Sequence, residues 1–393
     1  MKRSTERMLT THTGSLPRPA GLVQMLDGIA RGTQPDPGTF AAEVRDAVHD
    51  IVRRQVDAGV DVVNDGEASK VAYSTYVTER LSGFGGQGRM GTIQDVRDYP
   101  EWAHAAGLDD VSSIVTTPAC IGDVAYVDRG PLEADIANLR DAAQAAGPHD
   151  VFMSAASPGV IALFLENQHY PTREEYLRAL GAAMKEEYDA IHAAGFVLQI
   201  DCPDLAMGRH IEFPDLSLEE WRRIAMQNVE VLNDATRDIP PEDMRIHLCW
   251  GNYEGPHDHD VPLADILDIV FAARPAGISF EAANPRHEHE WQVFEDVALP
   301  EGKVLIPGVI DSTTNYVEHP ELVARRILDF ANVAGRENVI AGTDCGFATM
   351  ASFTPVDARV TYAKLRAMAQ GAELASGELW GGRPARKPVA LRA

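Results

Sequence analysis

A histidine and a cysteine, His247 and Cys249, stand two residues apart in the run RIHLCWGN at 245–252. Side chains at i and i+2 of a strand point to one face, so both can reach a single ion. Glu281 lies in GISFEAAN at 277–284, and Cys345 in GTDCGF, each near the end of another apolar run. An imidazole, two thiolates and a carboxylate form a donor set that suits Zn2+, whose tetrahedral preference takes four such ligands. The His-x-Cys pair alone arises by chance; Cys345 at the corresponding end of a different strand gives it meaning. The residues leave Glu281 open between a ligand and a supporting role. Cys120 reads as a small buried hydrophobe, while Cys202, beside Asp201, is left undecided. Two histidine clusters, at 257–259 and 287–289, are alternative ligand sources and read more simply as solvated loop residues.

The elements that must position these groups alternate a short apolar strand with a longer amphipathic segment. Strands are expected at 8–17, 60–67, 150–159, 196–204, 245–252, 277–284, 304–312 and 339–347. Helical patterns fall between them, at Phe40–Ala58, Thr172–Ala194, Leu218–Ala235 and Pro320–Gly335. Thr172 stands three residues before Glu175, the spacing of a capping box. Eight strands alternating with helices is the count of a TIM (β/α)8 barrel. The strands are apolar until their last residues, where Ser15, Glu67, Asp201, His247, Cys249, Glu281, Asp311 and Cys345 stand. In that fold the strand C-termini build the active site. Residues 82–125 interrupt the repeat and predict an inserted loop and hairpin over the barrel mouth. Residues 1–380 then form a single catalytic barrel, and 381–393 a basic, proline-bearing C-terminal tail.

Composition narrows the function classes. The 393 residues carry 59 acidic against 35 basic side chains, a net charge of -24. That excess argues against nucleic acid and against anionic membrane surfaces. No run approaches the roughly 18 to 20 apolar residues of a membrane span. The opening MKRSTERMLTTHTGSLPRP has no apolar stretch, so no secretory signal is expected. Four cysteines cannot staple a chain this long, and a cytoplasmic setting is expected. The partners expected are small molecules, a thiol and an alkyl donor; a homo-oligomer is left open.

Taken together, RIHLCWGN, GISFEAAN, GVIDS and GTDCGF, with HTGSLPRP near the start and VLQIDCPDLA in the middle, resemble a known family. It is that of the catalytic barrels of cobalamin-independent methionine synthases, and the motifs keep its order over nearly the whole chain. The likeness is strongest for short single-barrel relatives, a group that includes epoxyalkane:coenzyme M transferases. Uroporphyrinogen decarboxylases share the barrel more distantly, without the metal. The resemblance implies zinc ligation by His247, Cys249, Glu281 and Cys345. It also implies that Glu67 and Asp201 hold the amino group of homocysteine and that Ser15 lies near its carboxylate. Read from the residues alone, Glu67 and Asp201 could instead pair with Lys70 or Arg18. The family's histidine after the aspartate of the seventh strand is missing, because Ser312 follows Asp311. Cys202 replaces a glutamate, and ASPGVIALFLEN replaces the tryptophan-bearing segment that helps bind folate. A methyl-folate donor is therefore not carried over.

The expected chemistry is thiol S-methyl- or alkyl transfer. A free thiol has a pKa of about 8.5, so little of it is thiolate at neutral pH. Zinc deprotonates a bound thiol and presents a soft sulfur nucleophile. An epoxide-opening transferase is the alternative, and a metal-free decarboxylase with a strongly basic pocket is more remote. Asp311 and Asp201 are the candidate catalytic carboxyls, with the histidines at 257–259 and 287–289 as other proton sources. Arg18 and Arg286 are candidates for a substrate anion, or else solvated surface arginines.

Overall fold

The structure is a computed structural model that describes residues 1–89, 91–108, 117–351 and 354–381. Nearly all of the tail expected at 381–393 lies outside the described residues, as does part of the 82–125 segment. Among the described residues the strands are β1 (Val62–Val63), β2 (Phe84–Gly85), β3 (Ala119–Cys120), β4 (Asp150–Ala156) and β5 (Val197–Asp201). They continue with β6 (Met244–Leu248), β7 (Gly277–Phe280), β8 (Val304–Ile310) and β9 (Gly342–Thr343). Seven of them form one sheet in the order β1-β4-β5-β6-β7-β8-β9, every pairing parallel. The mixed α/β fold thus has a parallel sheet of the kind that curls into a TIM-like barrel.

The strand expected at 8–17 is present only as a bridging segment. Thr10 pairs in parallel with Ala341, and its carbonyl accepts the amide of Val62 at 3.0 Å. Residues 9–11 therefore bond to both edges of the sheet. They do not extend into a ladder because side chains have taken their amides. Met8 donates to Ser376 Oγ, Leu9 to Ser4 Oγ, Thr10 to Asp61 Oδ2 and Thr13 to Thr343 Oγ1. A donor already satisfied by a side-chain oxygen is not available to a neighbouring strand.

Helices cover the outside of the sheet where the periodicity placed them, at Pro37–Ala58, Arg173–Ala193, Leu218–Ala235 and Pro320–Ala334. Thr172 Oγ1 accepts the Glu175 amide, one half of the capping box its spacing predicts, while the full reciprocal box forms at Ser217 and Glu220. Each such cap contributes about 1 kcal/mol. Trp221 and Val229 lie along the buried stripe of the Leu218–Ala235 helix.

Inside the seven-stranded parallel sheet, beneath the strand ends, sits a polar layer. Arg245 of β6 donates to Gln199 of β5, to Thr11 Oγ1 and to the carbonyl of His12, and lies 3.6 Å from the Phe152 ring centre. Every one of its polar contacts is satisfied, which is the condition for burying a guanidinium. Arg245 and His247 share a face of β6, so this layer fixes the strand that carries the first candidate ligand. No helix among the described residues is long and apolar enough to cross a membrane.

Candidate metal centre and its cavity

The ends of the parallel strands converge on one point. His247, Cys249 and Cys345 bring one ligand atom each to within 4.8 Å of one another, and all three are buried. His247 is the register partner of Asp201 on β5 and of Ser279 on β7. Its Nδ1 meets Ser279 Oγ at 3.2 Å, while its Nε2 has no hydrogen-bond partner. Burial pushes this imidazole down to about 4, so it is neutral at pH 7. A neutral ring with a buried, unpartnered nitrogen is a ligand in waiting. Cys345 lies against Cys249, and that contact together with burial holds its thiol well above the ordinary range.

Glu281 stands beside the three but is not one of the mutually close group. Its Oε1 accepts the Trp250 amide at 2.9 Å and its Oε2 accepts Asn284 Nδ2 at 2.7 Å. Burial, then the neighbouring Cys249, raises its carboxyl to about 8. The two turns that present Glu281 and Cys345 are joined by Asp344. Its carboxylate accepts the amides of Ala282 and Ala283, both at 2.8 Å, and that of Asn284 at 2.9 Å. Sequence reasoning passed over Asp344, although it stands in the GTDCGF motif itself. At Gly346 an added Cβ would lie 2.1 Å from Ser15 Oγ, so only glycine lets the Cys345 turn approach the first segment this closely.

A cavity of about 420 Å³ opens from this cluster. Ser15, Glu67, Asp201, His247, Cys249 and Cys345 all line it, and its outer walls include Tyr73, Phe164, Met207, Ile211 and Met350. Ile93, Val96 and Leu108, from the segment expected to overhang the mouth, line it too. That segment is anchored through Asp95, which accepts the Tyr253 hydroxyl at 2.8 Å and the His257 amide at 2.7 Å. Tyr73, Asn252 and Tyr253 were not legible as site residues, because nothing local distinguishes a lining aromatic or amide from a packed one.

Glu67 holds its carboxylate in the cavity from a left-handed backbone, φ +56°, which costs a non-glycine residue on the order of 1 kcal/mol. Its Oε1 accepts Ser154 Oγ at 2.7 Å, and its Oε2 is buried without a partner. Asp201 accepts Gln199 Nε2 at 2.8 Å, and burial, then the charge of Glu67, raises it to about 7. Neither carboxylate pairs with Lys70 or Arg18. Lys70 donates to the Ser154 carbonyl.

The remaining expected site residues fall elsewhere. Arg18 spends its guanidinium on the carbonyls of Glu67, Lys70 and Ala348 and does not line the cavity. It holds the Glu67 turn in place. Asp311 is likewise outside the cavity lining. Its oxygens accept Thr313, Thr314 and Lys364; burial works against its charge, but Lys364 and the Thr314 bonds hold it below the ordinary range. Ser312 donates to Asn252, whose amide donates to the Gly346 carbonyl. Arg286 is exposed, and Cys202 and Cys120 are core residues.

His257 and His287 depart from the solvated-loop reading. Asp260 accepts His257 Nδ1 at 2.9 Å and His287 Nε2 at 3.0 Å, and Trp250 stacks on His287 at 4.1 Å. The two histidines brace the loop after Cys249, His257 through residues three and four positions away and His287 through Glu290, three positions on, and the more distant Asp260 and Trp250.

Known proteins resemble the chain along almost its full length. The family model described as the catalytic domain of cobalamin-independent synthase matches residues 8–373. A methionine synthase of Thermococcus kodakarensis is 26% identical over 371 residues, covering 94% of either chain. A 5-methyltetrahydropteroyltriglutamate–homocysteine methyltransferase of Chelativorans sp. is 25% identical over 86% of this chain but only 39% of its own length. In fold, the chain is similar to a B12-independent methionine synthase from Shewanella sp. W3-18-1 solved with selenomethionine, at a TM-score of 0.71 and 21% identity, covering 95% of this chain and 99% of that one. The chain belongs to the family of cobalamin-independent methionine synthase catalytic domains.

Proposed function

We propose that the protein is a zinc-dependent thiol S-methyl- or alkyltransferase with a homocysteine-type acceptor. One observation carries the reading: an imidazole and two thiols lie within 4.8 Å of one another at the floor of a cavity that also holds Glu67 and Asp201. The donor set fits zinc, and the buried, unpartnered Nε2 of His247 is otherwise unexplained. His247, Cys249 and Cys345 would hold the ion, with Glu281 adjacent as a fourth, displaceable ligand. When bound, zinc supplies a Lewis acid that keeps an acceptor sulfur as thiolate at neutral pH.

The chain's own groups do the rest. Glu67 Oε2, buried and free, accepts a hydrogen bond from an N–H of the acceptor's ammonium, and Asp201 faces the same space. Ser15 Oγ accepts the Ala348 amide at 3.3 Å, which leaves its hydrogen free for the acceptor's carboxylate. These contacts orient the thiol before reaction. Asp201, held at about 7, is the carboxyl that can carry or release a proton toward the cavity near neutrality. Phe164, Met207 and Ile211 give the same cavity apolar lining.

Metal analysis of the purified protein should give about one zinc per chain, lost in Cys249→Ser and Cys345→Ser. Zinc-edge absorption spectra should show a sulfur neighbour replacing an oxygen or nitrogen when homocysteine is added. A metal-free native protein, or a first shell unchanged by thiol, overturns the reading.

A further inference from the structure

A second cluster of ligating side chains stands apart from the thiols, where the overhanging segment meets the loop after Cys249. Asp95, Asp258 and His259 each bring one ligand atom to within 4.8 Å of the others. They come from two distant stretches, the short helix Gln94–Asp98 and the HDHD run at 257–260. Acidic clusters are common on protein surfaces, and proximity alone makes no site of one. The distinguishing residue is Asp95, which is 0% exposed. Its Oδ2 accepts the Tyr253 hydroxyl and the His257 amide, whereas its Oδ1 is buried with no hydrogen-bond partner. A buried carboxylate oxygen left unpaired is costly, and a second carboxylate alongside adds repulsion. His259 shows a related mismatch. Its Nε2 lies 2.7 Å from Asp98 Oδ2 and 3.6 Å from Asp258 Oδ1, yet neither contact has the direction of a hydrogen bond. Of the arginines around the cluster, Arg286 donates to the backbone carbonyl of Asp258 at 3.4 Å, and Arg97 is exposed on the outer side of its helix turn.

We propose that Asp95, Asp258 and His259 form a second metal site, separate from the thiol cluster, for a divalent cation of the Mn2+ class. Two carboxylates with one imidazole suit hard to borderline ions, whereas thiolates select zinc. Oδ1 is the oxygen that Asp95 has left to give, and a cation supplies the charge it lacks. Asp258 is exposed and His259 half-buried, so water completes the coordination shell on the open side. Tyr99 donates to Asp258 Oδ2 at 2.6 Å and orients that carboxylate, the part a supporting partner plays for a ligand. Asp98, beside His259, is close enough to join the shell. The cation would fasten the helix Gln94–Asp98 to the loop after Cys249. Ile93 and Val96 of that stretch line the cavity, so the same ion holds one cavity wall in place.

The test titrates Mn2+ into the purified full chain, whose zinc content is measured beforehand, and reads unbound Mn2+ by electron paramagnetic resonance. One Mn2+ per chain is expected to bind with no release of zinc. Asp258→Asn and His259→Ala should each weaken that binding at least about tenfold and leave the zinc content unchanged. Asp258 is exposed, so its variant keeps the test open if the histidine variant folds poorly. In hydrogen exchange, peptides within residues 91–108 should slow when Mn2+ is added to the wild type. No binding at about 1 mM Mn2+, binding that displaces zinc, or wild-type binding in Asp258→Asn overturns the site. Binding that leaves exchange in 91–108 unchanged overturns its fastening role. The site does not depend on the thiol-transfer reading, and the separate zinc measurement keeps the failure of one distinct from the failure of the other.

Discussion

The amide of Trp250 donates a 2.9 Å hydrogen bond to Oε1 of Glu281, tying the residue after Cys249 to the carboxylate that follows β7. The bond means that Glu281 serves two ends. It fixes the loop carrying Cys249, and its carboxyl lies beside the Cys249 thiol.

Substitution separates those roles. Glu281→Gln keeps an oxygen for the Trp250 amide and removes the charge. Zinc affinity is expected to fall by about 10- to 100-fold, while the melting temperature of the metal-free protein holds or rises. Glu281→Ala should lose both affinity and stability. Competitive chelator titration with thermal melts checks this, and wild-type affinity in the glutamine variant would remove Glu281 from the ion's surroundings.

A second prediction concerns a residue that touches no candidate ligand. An added Cβ at Gly308 would lie 2.0 Å from Asp344 Oδ1 and 2.7 Å from Asp344 backbone atoms. Gly308→Ala should therefore push Asp344 off the amides of residues 282–284 and shift the neighbouring Cys345 turn. Overpacking of this kind costs about 1–3 kcal/mol. Zinc affinity should drop together with stability; a variant with unchanged affinity would show that the Asp344 clamp does not position the ligands.

Asp201 predicts a conflict between stability and binding. Its folded-state pKa, about 7, lies above the ordinary 3.8, so the fold favours its protonated form. The penalty is absent below pH 3.8, builds as pH rises, and is complete above about 7. In the metal-free protein, Asp201→Asn should thus become more stable than wild type across that window, by up to roughly a few kcal/mol. Homocysteine binding should weaken in the same variant. Denaturant titrations at several pH values give the first result and calorimetry the second; a pH-independent difference in stability would be the contrary outcome.

The histidine pair behind Trp250 has the opposite sign. Burial disfavours charge on His257 and His287, but hydrogen bonds to Asp260, and for His287 also to Glu290, outweigh it and raise them to about 9 and about 10. Their contribution to stability is full below the ordinary 6.5 and is lost as pH climbs through 9 to 10. Asp260→Asn leaves two buried imidazoliums with one fewer carboxylate, at an expected cost of about 3–5 kcal/mol near neutrality. The difference between variant and wild type should shrink toward pH 10. Urea melts at pH 6.5 and pH 9.5 test this, and a constant difference would count against the charged state of the pair.

Much of the architecture was written locally. Mostly apolar runs ending in polar residues marked where the strands lie, although Gln199 and Arg245 place a polar layer inside β5 and β6. Thr172 announced a helix start because a cap is a contact over three residues. His247 and Cys249 were legible as a pair because strand pleating alone puts them on one face.

What sequence could not decide were relationships between distant segments. Whether Glu281 joins the ligand cluster or stands beside it depends on the bond from the Trp250 amide, which comes from the turn after another strand. Arg18 and Asp311 have the right chemistry for a substrate anion and an acid, yet carbonyls and Lys364 claim them first. His257 and His287 sit in polar loops, and only the fold brings both of them to one carboxylate, Asp260, with Glu290 on the other nitrogen of His287. The sequence by itself determined which groups reach the strand ends. Tertiary structure alone decided which of them stay unsatisfied there, because a buried polar group is available for chemistry only when no other segment has come close enough to bond it.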